Sequence, residues 1–170
     1  PFLKPLPFPD GERVLVRVGE QSPTRPSDHG VLECTPSVAE CTTARLVPIT
    51  PPAADDEAVI QDERELRLAP DGVTIGLTQV RRRADGDSAI VSIVGRLRRE
   101  GGVADGRHVV DDARVVSDLG ELKGFTPDGS AALVAAFTTL RDRAANPDVV
   151  RVDLATGEVS DFTVADGYDE

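Results

Sequence analysis

An apolar run restarts three times along this chain, always at the same offset behind the same turn. Val14-Leu15-Val16, Ile75-Gly76-Leu77 and Ala132-Leu133-Val134 follow the triplets Pro9-Asp10-Gly11, Pro70-Asp71-Gly72 and Pro127-Asp128-Gly129. The triplet has a physical logic: Pro presets φ at the second turn position, Asp caps the turn, and Gly takes a conformation that other residues resist. Each triplet therefore predicts a strand that ends, turns and feeds a second, buried strand.

The spacing makes the turn a repeat. Pro9 and Pro70 are 61 residues apart and Pro70 and Pro127 are 57 apart, somewhat longer than the roughly 40 to 50 of common propeller blades. In the third unit "VRVDLATGEV" (150–159) reads as strand, Gly-containing hairpin and strand. In the first unit "LECTPSVAEC" (32–41) has the same length, and Cys34 follows Gly11 by 23 residues, as Val152 follows Gly129. The middle unit departs: its third strand is expected in "SAIVSIVGRL" (88–97), followed by a Gly-rich excursion before "ARVVSDL". Each unit thus reads as four short antiparallel strands. The predicted fold class is all-β, a set of β-propeller blades over residues 1–50, 58–118 and 119–164, with a β-sandwich as the alternative.

The repeat resembles the TolB-type, WD-like β-propeller, whose blades carry a Pro-Asp-Gly turn, an apolar strand and an Asp-x-x-x-Gly hairpin. "LAPDGVTIGL" and "FTPDGSAALV" match the first part and "VDLATGEV" the second. The first unit matches more loosely, because Pro7-Phe8 stands where the others place an apolar residue two before the Pro. That resemblance implies a non-enzymatic, extracytoplasmic scaffold for protein binding. The alternative it leaves open is the gating propeller of a prolyl-oligopeptidase-like serine peptidase whose catalytic domain lies outside this chain.

Composition fits strands. The 170 residues contain no Met or Trp, one Tyr and five Phe, so Val, Leu, Ile and Ala must fill the core, and β-branched side chains pack well on a pleated surface. A net charge of −11 argues against nucleic acid and anionic membranes as partners. No apolar run of membrane-spanning length is present. The chain opens at Pro1 without an initiator Met, as expected of a mature product or a piece of a longer polypeptide. Three blades also fall short of the roughly four to eight that close a ring, so the expected partners are a protein or the remaining blades of the same propeller.

The candidate chemistry is sparse. Cys34 and Cys41 are expected on facing strands of the first hairpin, where a disulfide would indicate an oxidising, secreted or extracytoplasmic setting. His29 and His108 are expected in loops, and with two cysteines they form no familiar zinc spacing. No Gly-x-Ser-x-Gly elbow is present, and no cofactor is implied. Asp55-Asp56-Glu57 and Asp85-Gly86-Asp87 lack the spacing of a calcium loop and read as solvated faces. Arg81-Arg82-Arg83 is the one strong basic cluster, expected at a blade rim, where it could contact an acidic partner. "PFLKPLPF" is too Pro-rich for a central strand and reads as an edge strand or lead-in.

Overall fold

A computed structural model describes residues 2–18, 28–53, 59–82, 84, 86–102, 105–136 and 148–163. Within them the chain is all-β, with a propeller-like architecture. The strands are β1 (Phe2–Pro7), β2 (Arg13–Val18), β3 (Asp28–Thr35), β4 (Thr43–Thr50), β5 (Val59–Leu68), β6 (Thr74–Arg82), β7 (Ser88–Glu100), β8 (Arg107–Ser117), β9 (Gly120–Phe125), β10 (Ala131–Ala136), β11 (Asp148–Asp153) and β12 (Val159–Asp161).

The three Pro-Asp-Gly turns close with one geometry. The N–H groups of Gly11, Gly72 and Gly129 donate to the carbonyls of Phe8, Ala69 and Thr126 at 3.2, 3.0 and 2.8 Å. The N–H groups of Phe8, Ala69 and Thr126 in turn donate to Arg13, Thr74 and Ala131 at 2.9, 2.8 and 3.0 Å. All three glycines have positive φ, between 68° and 72°, where a Cβ is penalised. Asp10 Oδ1 accepts the N–H groups of Glu12 and Arg13, and Asp71 Oδ1 those of Val73 and Thr74. Asp128 Oδ1 accepts from Ser130. These carboxylates serve the turns, a local use that needs only neighbouring residues.

Behind each turn runs the expected buried strand. β2, β6 and β10 are buried on both faces over most of their length, which explains why they read as apolar runs rather than as alternating patterns. Among the described residues the Pro-rich β1 lies at a sheet edge, paired with β2.

The sheets are joined in a way the repeat did not predict. β1 to β4 and β5 to β8 form antiparallel meanders, but β4 and β8 also pair in parallel, Ile49 opposite His108 and Thr50 opposite Val109. The result is one eight-stranded sheet ordered β1-β2-β3-β4-β8-β7-β6-β5, beside a four-stranded sheet ordered β12-β11-β10-β9. The Gly-rich excursion creates this junction. β7 and β8 continue as a paired hairpin out to Glu100 opposite Arg107, so "RHVV" is strand rather than loop. A bulge bends the hairpin: the register shifts between Val94 and Arg96, and Asp112 sits at φ 50°. Gly95 fits there because a Cβ would fall 2.6 Å from Val110 Cγ1 and 2.8 Å from the Asp111 carbonyl.

The bent hairpin shares a core with the first meander. Phe8, Leu15, Val31 and Ile49 pack with Ile75, Leu97 and Val110. The opposite face of β6 meets the smaller sheet. Leu122 and Phe125 occupy the space beside Gly76, the Leu122 N–H donates to Thr78 Oγ1 at 2.9 Å, and Ser92 Oγ donates to the Gly120 carbonyl at 2.9 Å. Arg67 Nε reaches the Lys123 carbonyl at 2.9 Å across the same seam.

Two expectations are corrected. His29 lies in β3 and His108 in β8, with His108 only 1% exposed; neither is a loop residue. Cys34 and Cys41 are disulfide-bonded with Cα atoms 5.2 Å apart, yet Cys41 is in the connection between β3 and β4 rather than on a facing strand. Cys34 pairs with Ala44. The matching 23-residue spacing was not equivalence: Val152 faces Ala132 and Gly95 faces Ile75, whereas the residue facing Val14 is Leu32, 21 positions after Gly11.

Candidate functional site

The sequence "TIGLTQVRR" of β6 carries an unusual polarity for a buried strand. Strand alternation puts Ile75, Leu77, Gln79 and Arg81 on one face. Ile75 and Leu77 are core residues, and Gln79 and Arg81 continue their row while remaining 0% and 6% exposed. The basic cluster is therefore not one rim patch. Arg81 points with the core row, Arg82 is exposed, and Arg83 lies outside the described residues.

A hydrogen-bonded chain holds Arg81 in place. Its Nε donates to Gln79 Oε1 at 2.9 Å, and Gln79 Nε2 donates to Glu63 Oε1 at 2.7 Å and to the Pro52 carbonyl at 3.0 Å. Glu63 is buried, and that burial pushes its carboxyl above the ordinary range; the Gln79 hydrogen bond opposes the shift and the nearby Asp62 adds to it. Among the described residues Arg81 makes no ion pair. Its side chain borders a cavity of about 350 Å³ whose walls include Ala89, Val91, Val115, Ser117 and Asp118. Val115 is 41% exposed, so the apolar wall reaches solvent.

A second polar cluster sits at the junction of β4 and β8. His108 Nε2 lies 3.6 Å from Glu33 Oε1, while Arg99 Nε donates to the same oxygen at 3.0 Å. Burial lowers the His108 pKa below its ordinary value; Glu33 opposes this, and Arg13 and Arg99 reinforce it. The imidazole is thus neutral at neutral pH, and Arg99 is the cation that answers Glu33. This cluster ties the two meanders together.

Other candidates play structural parts or fall outside view. The nine turn residues close turns, as described above. Asp55, Asp56, Glu57 and Asp85 lie outside the described residues, and among those described no group of three His, Cys, Asp or Glu side chains is placed to hold a metal. The sequence reading missed Gln79 and Glu63. Their signal was phase: a Gln and an Arg in step with Ile75 and Leu77 mark polar groups on a core-facing row.

No family model matches the chain, and no curated protein matches it in sequence. Among solved structures it is similar to a crystal structure of a puromycin hydrolase mutant complexed with PGG, with a TM-score of 0.50 and 18% identity. The likeness covers 96% of this chain and 23% of that one, so this chain spans about a quarter of that protein. At such identity the likeness concerns fold alone, and it agrees with a propeller-like all-β chain.

Proposed function

We propose that this chain is a non-catalytic, TolB-like propeller segment that acts as an extracytoplasmic protein-binding scaffold. The observation that carries the reading is the buried Arg81, fixed by Gln79 and Glu63 beside a solvent-open cavity. A desolvated cation without an ion-paired carboxylate costs stability, and a recognition role gives a reason for its retention. The Cys34–Cys41 disulfide supports an oxidising compartment.

A second reading is favoured by the structural likeness to a puromycin hydrolase: the chain belongs to a propeller that gates a serine hydrolase domain encoded elsewhere in the same polypeptide. Fluorophosphonate labelling of the complete gene product separates the two. The scaffold reading expects no labelled serine and retained partner capture. A labelled serine beyond this segment, with hydrolysis altered when the segment is deleted, replaces that reading with the gate.

A further inference from the structure

We propose that the cavity beside Arg81 binds the free C-terminal carboxylate of a peptide whose last side chain is aliphatic. This deepens the binding role proposed above and rests on it, but it commits to one place and one chemistry. The guanidinium is positioned before any ligand arrives. Its Nε is engaged by Gln79 Oε1, and Gln79 is itself anchored by Glu63 and the Pro52 carbonyl. With Nε taken, the two terminal nitrogens remain as a paired donor edge, which matches the two oxygens of a carboxylate.

The cavity walls select the rest of the ligand. Ala89, Val91 and Val115 are apolar and suit an aliphatic side chain. Ser117 supplies a hydroxyl at the wall. Asp118 also lines the cavity and opposes negative charge there, a phosphate dianion more strongly than a singly charged carboxylate. Arg81 also borders a small adjoining cavity with Pro52, Ile93 and Arg114. Arg114 donates to the Leu154 carbonyl and does not line the larger cavity.

The test is an NMR titration of the 170-residue chain with N-acetyl-Ala-Val as the free acid and, separately, as its C-terminal amide. The expected result is that the free acid shifts the backbone signals of Arg81, Val91, Val115 and Ser117. The amide should bind at least about tenfold more weakly, because it removes the charge that the guanidinium recognises. Arg81→Gln should abolish the response, Arg81→Lys should weaken it, and Arg82→Gln should leave it unchanged. Val115→Trp fills the cavity while keeping the cation, and should block binding even if Arg81→Gln fails to fold. Equal binding of acid and amide, or binding of the acid undiminished in Val115→Trp, overturns the proposal. Binding of the free acid with shifts confined to another surface also overturns it, while leaving the scaffold reading intact. Inorganic phosphate competing better than the free acid would overturn the carboxylate assignment.

Discussion

The two sheets use the same turn but fill their buried positions differently. Every buried polar or charged residue among those described, from Arg17 to Ser117, belongs to the eight-stranded sheet or its immediate end. The four-stranded sheet buries Leu122, Ala132, Val134, Ala136, Val150 and Val152, with no buried polar side chain among its described residues. Thr78 and Ser92 explain part of the contrast, since they bond to β9 across the seam. Gln79 bonds instead to Glu63 and Arg81 of its own sheet, and Arg81 borders an open cavity. Among the described residues the smaller sheet's buried positions are thus apolar, whereas the larger one keeps a polar row whose cost packing does not explain.

The sheets also close their outer hairpins by different means. In the larger sheet the connection after β3 is crosslinked by Cys34 and Cys41. In the smaller sheet the Asp153 carboxylate accepts the N–H groups of Ala155 and Thr156, and Gly157 takes φ 76°. One end is held covalently, the other by local hydrogen bonds.

The largest expected effect lies at the seam. Leu122→Ala should lower stability by about 2 to 5 kcal/mol, because Leu122 is fully buried and fills the space that Gly76 leaves open. Urea denaturation measures this, and a loss well under 1 kcal/mol by the same scale would mean that the sheets are not packed there. Gly120→Ala should act within the smaller sheet instead, since its Cβ would collide with the Ala135 carbonyl of the neighbouring strand β10.

Next comes the covalent staple. Replacing Cys34 and Cys41 with Ala should cost no more than about 2.5 kcal/mol, the chain-entropy value for so short a loop. Thermal melts of the variant, and of the parent with and without reductant, read the effect. Free thiols in protein isolated without reductant would remove the argument for an oxidising compartment.

A pair of variants addresses the polar row directly. Gln79→Leu should destabilise by about 1 to 2 kcal/mol, because it strands the donors and acceptors of Arg81 and Glu63. The triple variant Glu63→Leu, Gln79→Leu and Arg81→Met gives this row the chemistry of the smaller sheet. It should recover the parent's stability or exceed it. If the triple variant is the least stable of the set, the row is a structural necessity rather than a cost accepted for binding.

The smallest effects are in pH dependence, and Asp128 and Glu63 should differ in sign. The Thr126 hydroxyl, then the Ser130 N–H and hydroxyl, hold the Asp128 carboxyl down to about 2, against an ordinary value of 3.8. A depressed folded pKa contributes stability above the ordinary value, and that contribution is lost as pH falls through the folded one. Asp128→Asn should therefore flatten the acid limb of the stability curve. Glu63 is raised by burial above its ordinary 4.5. Its contribution is complete below that value and is lost as pH rises through the folded pKa, so Glu63→Gln should flatten a decline of the opposite sign. Urea midpoints measured across this range would expose either error.

Much of this organisation was legible locally. The Pro-Asp-Gly turns, the buried strands behind them and the edge position of β1 follow from φ preferences, Asp hydrogen bonding and missing Pro donors. The polar row is legible through alternation, which separates Arg81 from Arg82, whereas charge alone groups Arg81, Arg82 and Arg83 as one cluster. Cys41 was misplaced because equal spacing stood in for register, and the first hairpin carries a longer connection than the third.

What the chain's residues determined by themselves was therefore the set of turns and the strands they launch, since each depends on atoms within about five residues. Tertiary structure alone decided the parallel contact of β4 with β8, the burial of His108 and the enclosure of Arg81. These depend on how far the β7–β8 hairpin extends and bends before it meets a strand some 60 residues earlier. No local preference encodes that distance; it is set by the apolar surface of Leu97 and Val110 finding the core of the first meander.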